Sequence, residues 1–167
     1  MAQNFDAIVI GTGQAGPALA VRLGKAGQRT AIIERKLVGG TCVNNGCIPT
    51  KALIASARTA HIAARAADFG VVVEPPVRVD MTRVKARKDA IVRQSSEGVT
   101  NWLMRAPNVS LIAGHARFEG THAVRVNGEL LEARQIFINV GARAAIPDLP
   151  GLADVPYFTN SSMMGVD

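Results

Sequence analysis

Aromatic side chains are scarce in this chain of 167 residues. They make up 4% of it, with one Trp, one Tyr and five Phe, so a platform of rings on which nucleic-acid bases stack is difficult to build. The net charge of +6 at first suggests a nucleic acid or an anionic membrane as partner. The basic residues are scattered, however, and the densest run, at 83–93, is typical of a solvated helix face. We therefore expect no nucleic-acid partner.

A long hydrophobic run is also missing near the start of the chain. Residues 1–13, MAQNFDAIVIGTG, contain a short apolar stretch that no basic region precedes and that glycines end. Such a stretch is typical of neither a signal peptide nor a membrane anchor. We expect a cytoplasmic protein without a membrane partner, in which 48% hydrophobic residues are enough for an ordinary core.

Cysteine and histidine are sparse too. Both cysteines, Cys42 and Cys47, lie in the segment 39–51, GGTCVNNGCIPTK, and the three histidines lie in other segments. A tetrahedral zinc site needs four ligands, and this cysteine spacing is longer than that of the usual zinc knuckle, so we expect no metal site. A disulfide across five positions would constrain little of the unfolded chain, and a reducing cytosol disfavours a structural one. Both arguments favour a redox role for the pair.

The first 35 residues alternate between strand and helix patterns. Residues 5–11 form a short β-branched apolar run that ends at a glycine, residues 14–27 have a helical apolar pattern, and residues 29–35 form a second apolar run. A strand, a helix and a strand in this order make one βαβ unit of a parallel sheet. The expected fold class is therefore α/β.

The rest of the chain changes period. The pattern predicts helices over 49–70 and from 81 to about 105, and short strands within 109–118, 122–133 and 134–142. An Asn-Gly pair at 127 and 128 is typical of a tight hairpin turn. We expect a small antiparallel sheet that leads back into the main one.

A dinucleotide-binding pattern joins the first strand to the first helix. Gly11, Gly13 and Gly16 have G-x-G-x-x-G spacing. The first glycine permits a tight turn, the second lets the backbone approach a pyrophosphate, and the third lets helix and strand pack closely. Glu34 ends the second strand, where a carboxylate would accept hydrogen bonds from a ribose hydroxyl. The pattern serves NAD and FAD alike, and a glycine-rich turn without a ligand is the alternative.

The cysteine segment has features of a redox couple. Pro49 favours the first turn of a helix, which places Cys47 at the helix start. There the unpaired N–H groups and the helix dipole favour a thiolate, and Lys51 adds positive charge. The residues between the cysteines allow a bend that brings the sulfurs together, so Cys42 would be the exchange partner of Cys47.

Four segments in this order, IVIGTGQAG, Glu34, GGTCVNNGCIPTK and INVGARAAIPDLPG, resemble the FAD-binding portion of the pyridine nucleotide-disulfide oxidoreductases. This class of flavoproteins includes lipoamide dehydrogenase, glutathione reductase and mercuric reductase. The resemblance implies a Rossmann-like FAD-binding domain over residues 1–150, with a parallel sheet, flanking helices and a small antiparallel sheet. Residues 151–167 would form a connection toward an NAD(P)-binding domain that follows in the family.

The resemblance also implies roles for the matching residues. The glycine loop would hold the pyrophosphate, the acid after the second strand the adenosine ribose, and the turn near residue 141 would lie beside the cofactor. The implied FAD-binding residues are Gly11, Gly13, Gly16, Glu34, Arg35, Gly40, Thr41, Lys51, Ala116 and Gly141. Two positions depart from the family pattern, because Asn45 stands where Val is usual, and Asn-Val rather than Ala-Thr precedes Gly141.

The implied catalytic residues are Cys42, Cys47 and Lys51. Cys47 would be the charge-transfer thiol that faces the flavin, Lys51 would lie near flavin N5, and Cys42 would be the interchange thiol that faces the substrate. Electrons would pass from NAD(P)H through FAD and the cysteine pair to a small-molecule disulfide or a metal ion.

The family pattern extends beyond these 167 residues. A family member continues into a nicotinamide domain and a C-terminal domain that forms a homodimer. We therefore expect this chain by itself to bind FAD incompletely and to lack full turnover. The alternative is a stand-alone NAD-binding or redox-sensing module without a catalytic cycle.

Overall fold

Apolar β-branched runs form the centre of the sheet in this computed structural model, which describes residues 2–166. The strands are β1 (Gln3–Ile10), β2 (Thr30–Glu34), β3 (Val109–Ala113), β4 (Arg117–Gly120), β5 (Ala123–Val126) and β6 (Glu129–Ile138). The helices are α1 (Gly16–Lys25), α2 (Gly40–Asn44), α3 (Cys47–Ala64) and α4 (Met81–Met104). Met1 and Asp167, the end residues of the two predicted segments 1–150 and 151–167, lie outside the described residues, and that division stays a prediction.

The six strands form one mixed sheet in the order β3-β2-β1-β6-β5-β4. β1 pairs in parallel with β2 and β6, and β2 pairs in parallel with β3. β5 pairs antiparallel with β4 and β6. The α/β, Rossmann-like fold class and its opening βαβ unit are therefore confirmed.

The antiparallel strands continue the main sheet because β6 is long. Its first residues pair with β5, through Ala123↔Glu132, and its later ones pair with β1, through Ile10↔Ile138. The separate strand expected at 134–142 is thus wrong, since residues up to Ile138 belong to β6. The Asn-Gly turn before it is confirmed, with positive φ at Asn127 and Gly128.

Two other predicted elements are divided in the structure. The run 109–118 breaks at Gly114, where the chain leaves the parallel edge strand β3 and begins β4 at the opposite edge of the sheet. The helix predicted over 49–70 ends at Ala64. The Arg65 N–H donates to the carbonyls of both His61 and Ile62, so the last turn of α3 is tightened. A short 3-10 helix, Ala66–Phe69, follows it.

The long helix predicted from residue 81 is confirmed as α4, and Asp80 caps it by accepting a hydrogen bond from the Arg83 N–H at 3.1 Å. Among residues 2–166, we find no helix that combines the length and the apolar character needed to cross a membrane.

The core lies on both faces of the sheet because side chains alternate along each strand. On one face, Val9 and Ile32 pack with α1 and with Leu103 of α4. On the other, Ile8 and Ile33 pack with residues of β5 and β6. Helices α1 and α4 thus pack on one face of the central strands, and the carboxyl ends of these strands meet at one edge of the sheet.

Leu103 offers a direct test of this packing. The side chain is fully buried, whereas that of its neighbour Met104 is 69% exposed. We predict that Leu103→Ala lowers the free energy of unfolding by about 2–5 kcal/mol, because it removes methyl groups and leaves a cavity against the sheet. Met104→Ala is the matched control and should change it by less than about 0.5 kcal/mol. Equal losses in urea unfolding of the two variants would contradict the packing.

Candidate functional site

The carboxyl ends of the parallel strands enclose a cavity of about 630 Å³, as expected for an open α/β sheet. Eight of the residues implied in cofactor binding line it: Gly11, Gly13, Glu34, Arg35, Gly40, Thr41, Ala116 and Gly141. Gly16 is buried and Lys51 is exposed, and the lining contains neither of them, nor either cysteine. A shallow depression of about 480 Å³ lies elsewhere, around Phe5 and His122.

Packing alone requires two of the three glycines in the loop. At Gly11, where φ is +106°, a Cβ would lie 2.3 Å from the carbonyl oxygen of Asn139. At Gly16 a Cβ would lie 2.1 Å from the carbonyl oxygen of Gly11. Both distances are far below van der Waals contact, so no side chain fits there without moving the backbone.

Gly13 is different. A Cβ there would meet its nearest neighbour, the side-chain nitrogen of Asn139, at 3.5 Å, which is ordinary contact. The protein's own packing therefore tolerates a side chain at Gly13, yet the residue is bare and faces the cavity. A ligand that approaches the backbone closely gives a reason for glycine at this position.

The segment that carries the cysteines docks on the glycine loop. A Cβ on Gly40, the first residue of α2, would lie 2.7 Å from the Cα of Gly13. The Gly39 N–H donates to the hydroxyl of Thr12 at 3.2 Å, and this hydroxyl in turn donates to Glu34 Oε2 at 2.7 Å. Sequence reasoning missed Thr12, which occupies a variable position of the loop pattern. It is fully buried and joins the loop, β2 and the cysteine segment.

Glu34 accepts hydrogen bonds at both carboxylate oxygens. Oε2 accepts from the N–H and hydroxyl of Thr12, and Oε1 accepts from the Lys36 N–H at 2.9 Å. Burial by itself raises the pKa of Glu34, but the hydrogen bonds from Thr12, Lys36 and Arg35 together outweigh burial and lower it. Glu34 is therefore ionised at neutral pH and already tied to the loop, with capacity left at Oε1 for a ligand hydroxyl.

The cavity lining carries more positive than negative charge. Arg35, Lys36 and Arg143 line it together with a single carboxylate, that of Glu34. The first turn of α1 holds no acidic residue, and no side chain hydrogen-bonds to its amino end. Cationic side chains, together with a helix amino end that no side chain caps, are suited to bind an anionic group such as a pyrophosphate.

The structure brings the two cysteines together. Cys47 is the first residue of α3 and exposed, Cys42 is partly exposed on α2, and neither forms a disulfide. A hydrogen bond with the Cys47 side chain raises the pKa of Cys42, and burial and the charge of Cys47 raise it further. The Cys47 backbone N–H and the charge of Lys51 act in the opposite direction. The two thiol groups therefore lie close enough to interact, as thiol–disulfide exchange requires.

The histidines lie apart from the cysteines and are exposed; they are His61, His115 and His122. Of these, His115 lies on the rim of the cavity. In the part of the chain that the structure describes, no three His, Cys, Asp or Glu side chains are grouped so that they could hold a metal ion.

A known protein family matches most of this chain. The pattern of the pyridine nucleotide-disulphide oxidoreductases matches residues 5–165. The chain belongs to this family. Members of the family are FAD-dependent oxidoreductases that use NAD(P)H.

Several members of the family are similar to this chain over most of its length. It is 32% identical to dihydrolipoyl dehydrogenase of Acholeplasma laidlawii over 92% of the chain. It is 37% identical to the probable oxidoreductase RclA of Escherichia coli K12 over 92% of the chain, and 32% identical to mercuric reductase of Lysinibacillus sphaericus over 96%. It spans 46%, 32% and 29% of these three relatives, less than half of each.

Solved structures give the same likeness. The HOCl-induced flavoprotein disulfide reductase RclA of Escherichia coli superposes with a TM-score of 0.77 at 34% identity, over 96% of this chain and 34% of that one. The fold of this chain is therefore the fold of the family. The sequence identity of 34% shows common ancestry in addition to a similar fold.

The hydrogen bonds at Glu34 predict a pH-dependent contribution to stability. Its pKa is lower in the folded than in the unfolded chain, so the contribution is present above the unfolded pKa and is lost as pH falls through the folded one. Glu34→Gln should lower the free energy of unfolding by about 1–2 kcal/mol at pH 7 and by much less in acid, as urea unfolding at both pH values would show. Glu132→Gln, at an exposed position, is the control; a loss at Glu34 that did not depend on pH would contradict the ionised form.

The contact between the thiols predicts how Cys42 ionises. In Cys47→Ala, alkylation of Cys42 should reach its half-maximal rate at a lower pH than in the reduced wild type, because the main cause of the raised pKa is gone. Lys51→Gln should shift the midpoint of Cys42 to higher pH, since a positive charge that favours its thiolate is lost. Site-resolved mass spectrometry across pH measures both, and shifts of the same sign would refute the arrangement.

Proposed function

We propose that this chain is the FAD-binding and dithiol portion of a flavin-dependent NAD(P)H:disulfide or metal-ion oxidoreductase. The observation that carries the proposal is Gly13, which faces the cavity and which no packing contact requires to be glycine, while the cysteine segment approaches its Cα at Gly40. A nucleotide-binding loop and a dithiol in one small unit are what a flavin-to-disulfide path needs.

The cavity supports a flavin dinucleotide as its ligand. The glycine loop and the start of α1 would hold the pyrophosphate, and Arg35, Lys36 and Arg143 would balance its charge. Glu34 would accept from the adenosine ribose, Ala116 would meet the adenine, and Gly40 with Thr41 would lie along the phosphate and ribitol side. When bound, FAD supplies a two-electron carrier that accepts hydride from a nicotinamide.

The cysteines hold the redox equivalents on the protein. Two electrons and two protons convert the Cys42–Cys47 disulfide into two thiols. The Cys42 thiolate then attacks a disulfide substrate and releases one substrate thiol, and Cys47 attacks the resulting mixed disulfide, which releases the second and restores the protein disulfide. Cys47 would face the flavin, with Lys51 one turn further along α3.

The relatives support two classes of electron acceptor. The relatives include a dihydrolipoyl dehydrogenase and a mercuric reductase. One solved structure of Escherichia coli RclA is a complex with Cu(II). A small disulfide or a thiophilic metal ion would reach the dithiol at Cys42, which is partly exposed. We propose a cytoplasmic homodimer for the whole protein, with no role for nucleic acid.

The glycine loop provides the test of FAD binding. We expect the wild-type chain to take up FAD with a flavin absorption spectrum. Gly13→Val should raise the Kd for FAD at least about tenfold, because its methyl groups occupy the space of the pyrophosphate, while the urea midpoint changes little. Gly98→Ala, in open space on α4, is the control and should leave the Kd unchanged. Binding of NAD without FAD uptake would instead favour a stand-alone NAD-binding module.

The order of the thiols has its own test. A long-wavelength flavin band should appear in the wild type after two-electron reduction of the disulfide and in Cys42→Ser without any reduction, because a Cys47 thiolate lies beside the oxidised flavin in both. The band should be absent in Cys47→Ser. A band that depends on Cys42 and survives in Cys47→Ser would reverse the assignment.

A further inference from the structure

One peptide unit of the glycine loop is held at both ends by side chains. The Thr12 N–H donates to Glu34 Oε2 at 3.0 Å, and the carbonyl of Gly11 accepts from the side-chain amide of Asn139 at 3.3 Å. These two atoms belong to the same peptide, between Gly11 and Thr12. Glu34 ends β2, and Asn139 follows β6, the strands that flank β1 on its two sides.

The direction of this peptide matters for an anionic ligand. Gly11 has φ of +106°, and a glycine imposes little resistance to rotation of the adjoining peptide. A rotated peptide would exchange the positions of its carbonyl and its N–H, so that its oxygen would face the carboxylate of Glu34 rather than donate to it. Both oxygens would repel each other, and the loop that lines the cavity would have to change its shape.

Asn139 opposes that rotation. A carbonyl can only accept a hydrogen bond, so the carboxamide must turn its NH₂ group toward Gly11. This bond keeps the oxygen of Gly11 on the side of Gly16, where a Cβ would approach it to 2.1 Å. The backbone of Asn139 also donates to the carbonyl of Ile10 at 2.8 Å, so the residue is anchored before its side chain acts.

We propose that Asn139 is a positioning residue which, together with Glu34, clamps the Gly11–Thr12 peptide and so holds the glycine loop in the shape against which a pyrophosphate would bind. The inference rests on the proposed binding of FAD. It assigns to Asn139, which lines the cavity, a function exerted through the loop backbone.

The clamp can be tested without any ligand. Amide hydrogen exchange of Thr12, followed by NMR in the ligand-free chain, should accelerate about fivefold or more in Asn139→Ala, because loss of one hydrogen bond frees the peptide to rotate. Asn45→Ala is the matched control, since Asn45 lines the same cavity and its side chain has no hydrogen bond to the loop among the described residues. An unchanged exchange rate at Thr12 would overturn the clamp.

A second measurement separates positioning from charge. Asn139→Asp and Asn45→Asp each place one carboxylate in the same cavity, so simple repulsion should weaken FAD binding in both. The clamp predicts a further loss, of about tenfold, for Asn139→Asp, because its carboxylate also faces the Gly11 carbonyl. It also predicts altered ³¹P chemical shifts of bound FAD in Asn139→Ala, which a merely looser fold would not produce.

The two hypotheses fail in different ways. Equal effects of the two aspartate variants, together with unchanged ³¹P shifts in Asn139→Ala, would overturn the role of Asn139 and leave FAD binding intact. No uptake of FAD by the wild type would overturn the proposed function and the phosphate role of the loop, even where Thr12 exchange responded to Asn139→Ala.

Discussion

The hydrogen bonds of the buried Thr12 hydroxyl join the parts of this site. The hydroxyl donates to Glu34 and accepts from the Gly39 N–H, so it ties the loop after β1 to the end of β2 and to the segment that carries the cysteines. Thr12 has no exposed surface, and a buried hydroxyl is costly unless its bonds are made. The loop, the acid and the dithiol segment therefore hold a fixed arrangement before any ligand binds.

This arrangement explains how one small unit can hold a nucleotide and a dithiol. Parallel strands direct their ends to one edge, and the close contact of Gly40 with Gly13 places α2 against the loop. α3 then begins at Cys47, next to Cys42 on α2. The cysteines lie outside the cavity lining, next to residues of the same segment that line it. Such a position between the cavity and the surface suits a dithiol that passes electrons from a bound flavin to a substrate.

The alternation of strands and helices, the glycine spacing and the helix start at Cys47 could be predicted because they depend on local chemistry. The roles of Thr12 and Asn139 could not, because each depends on a partner brought close by the order of the sheet. The Asn-Val pair before Gly141 was the only sequence signal for Asn139, as a departure from the family pattern. The end of α3 at Ala64 was missed because alanine-rich sequence favours helix on both sides of the tightened turn, and β6 was divided because one strand pairs with two different neighbours.

The central claim is that the cavity at the carboxyl edge of the sheet is a flavin dinucleotide site. Calorimetric titration of the wild-type chain with FAD and, under the same conditions, with NAD tests it most directly. The account predicts one FAD per chain and a Kd at least about tenfold lower for FAD than for NAD. Saturable binding of NAD without measurable binding of FAD would contradict it.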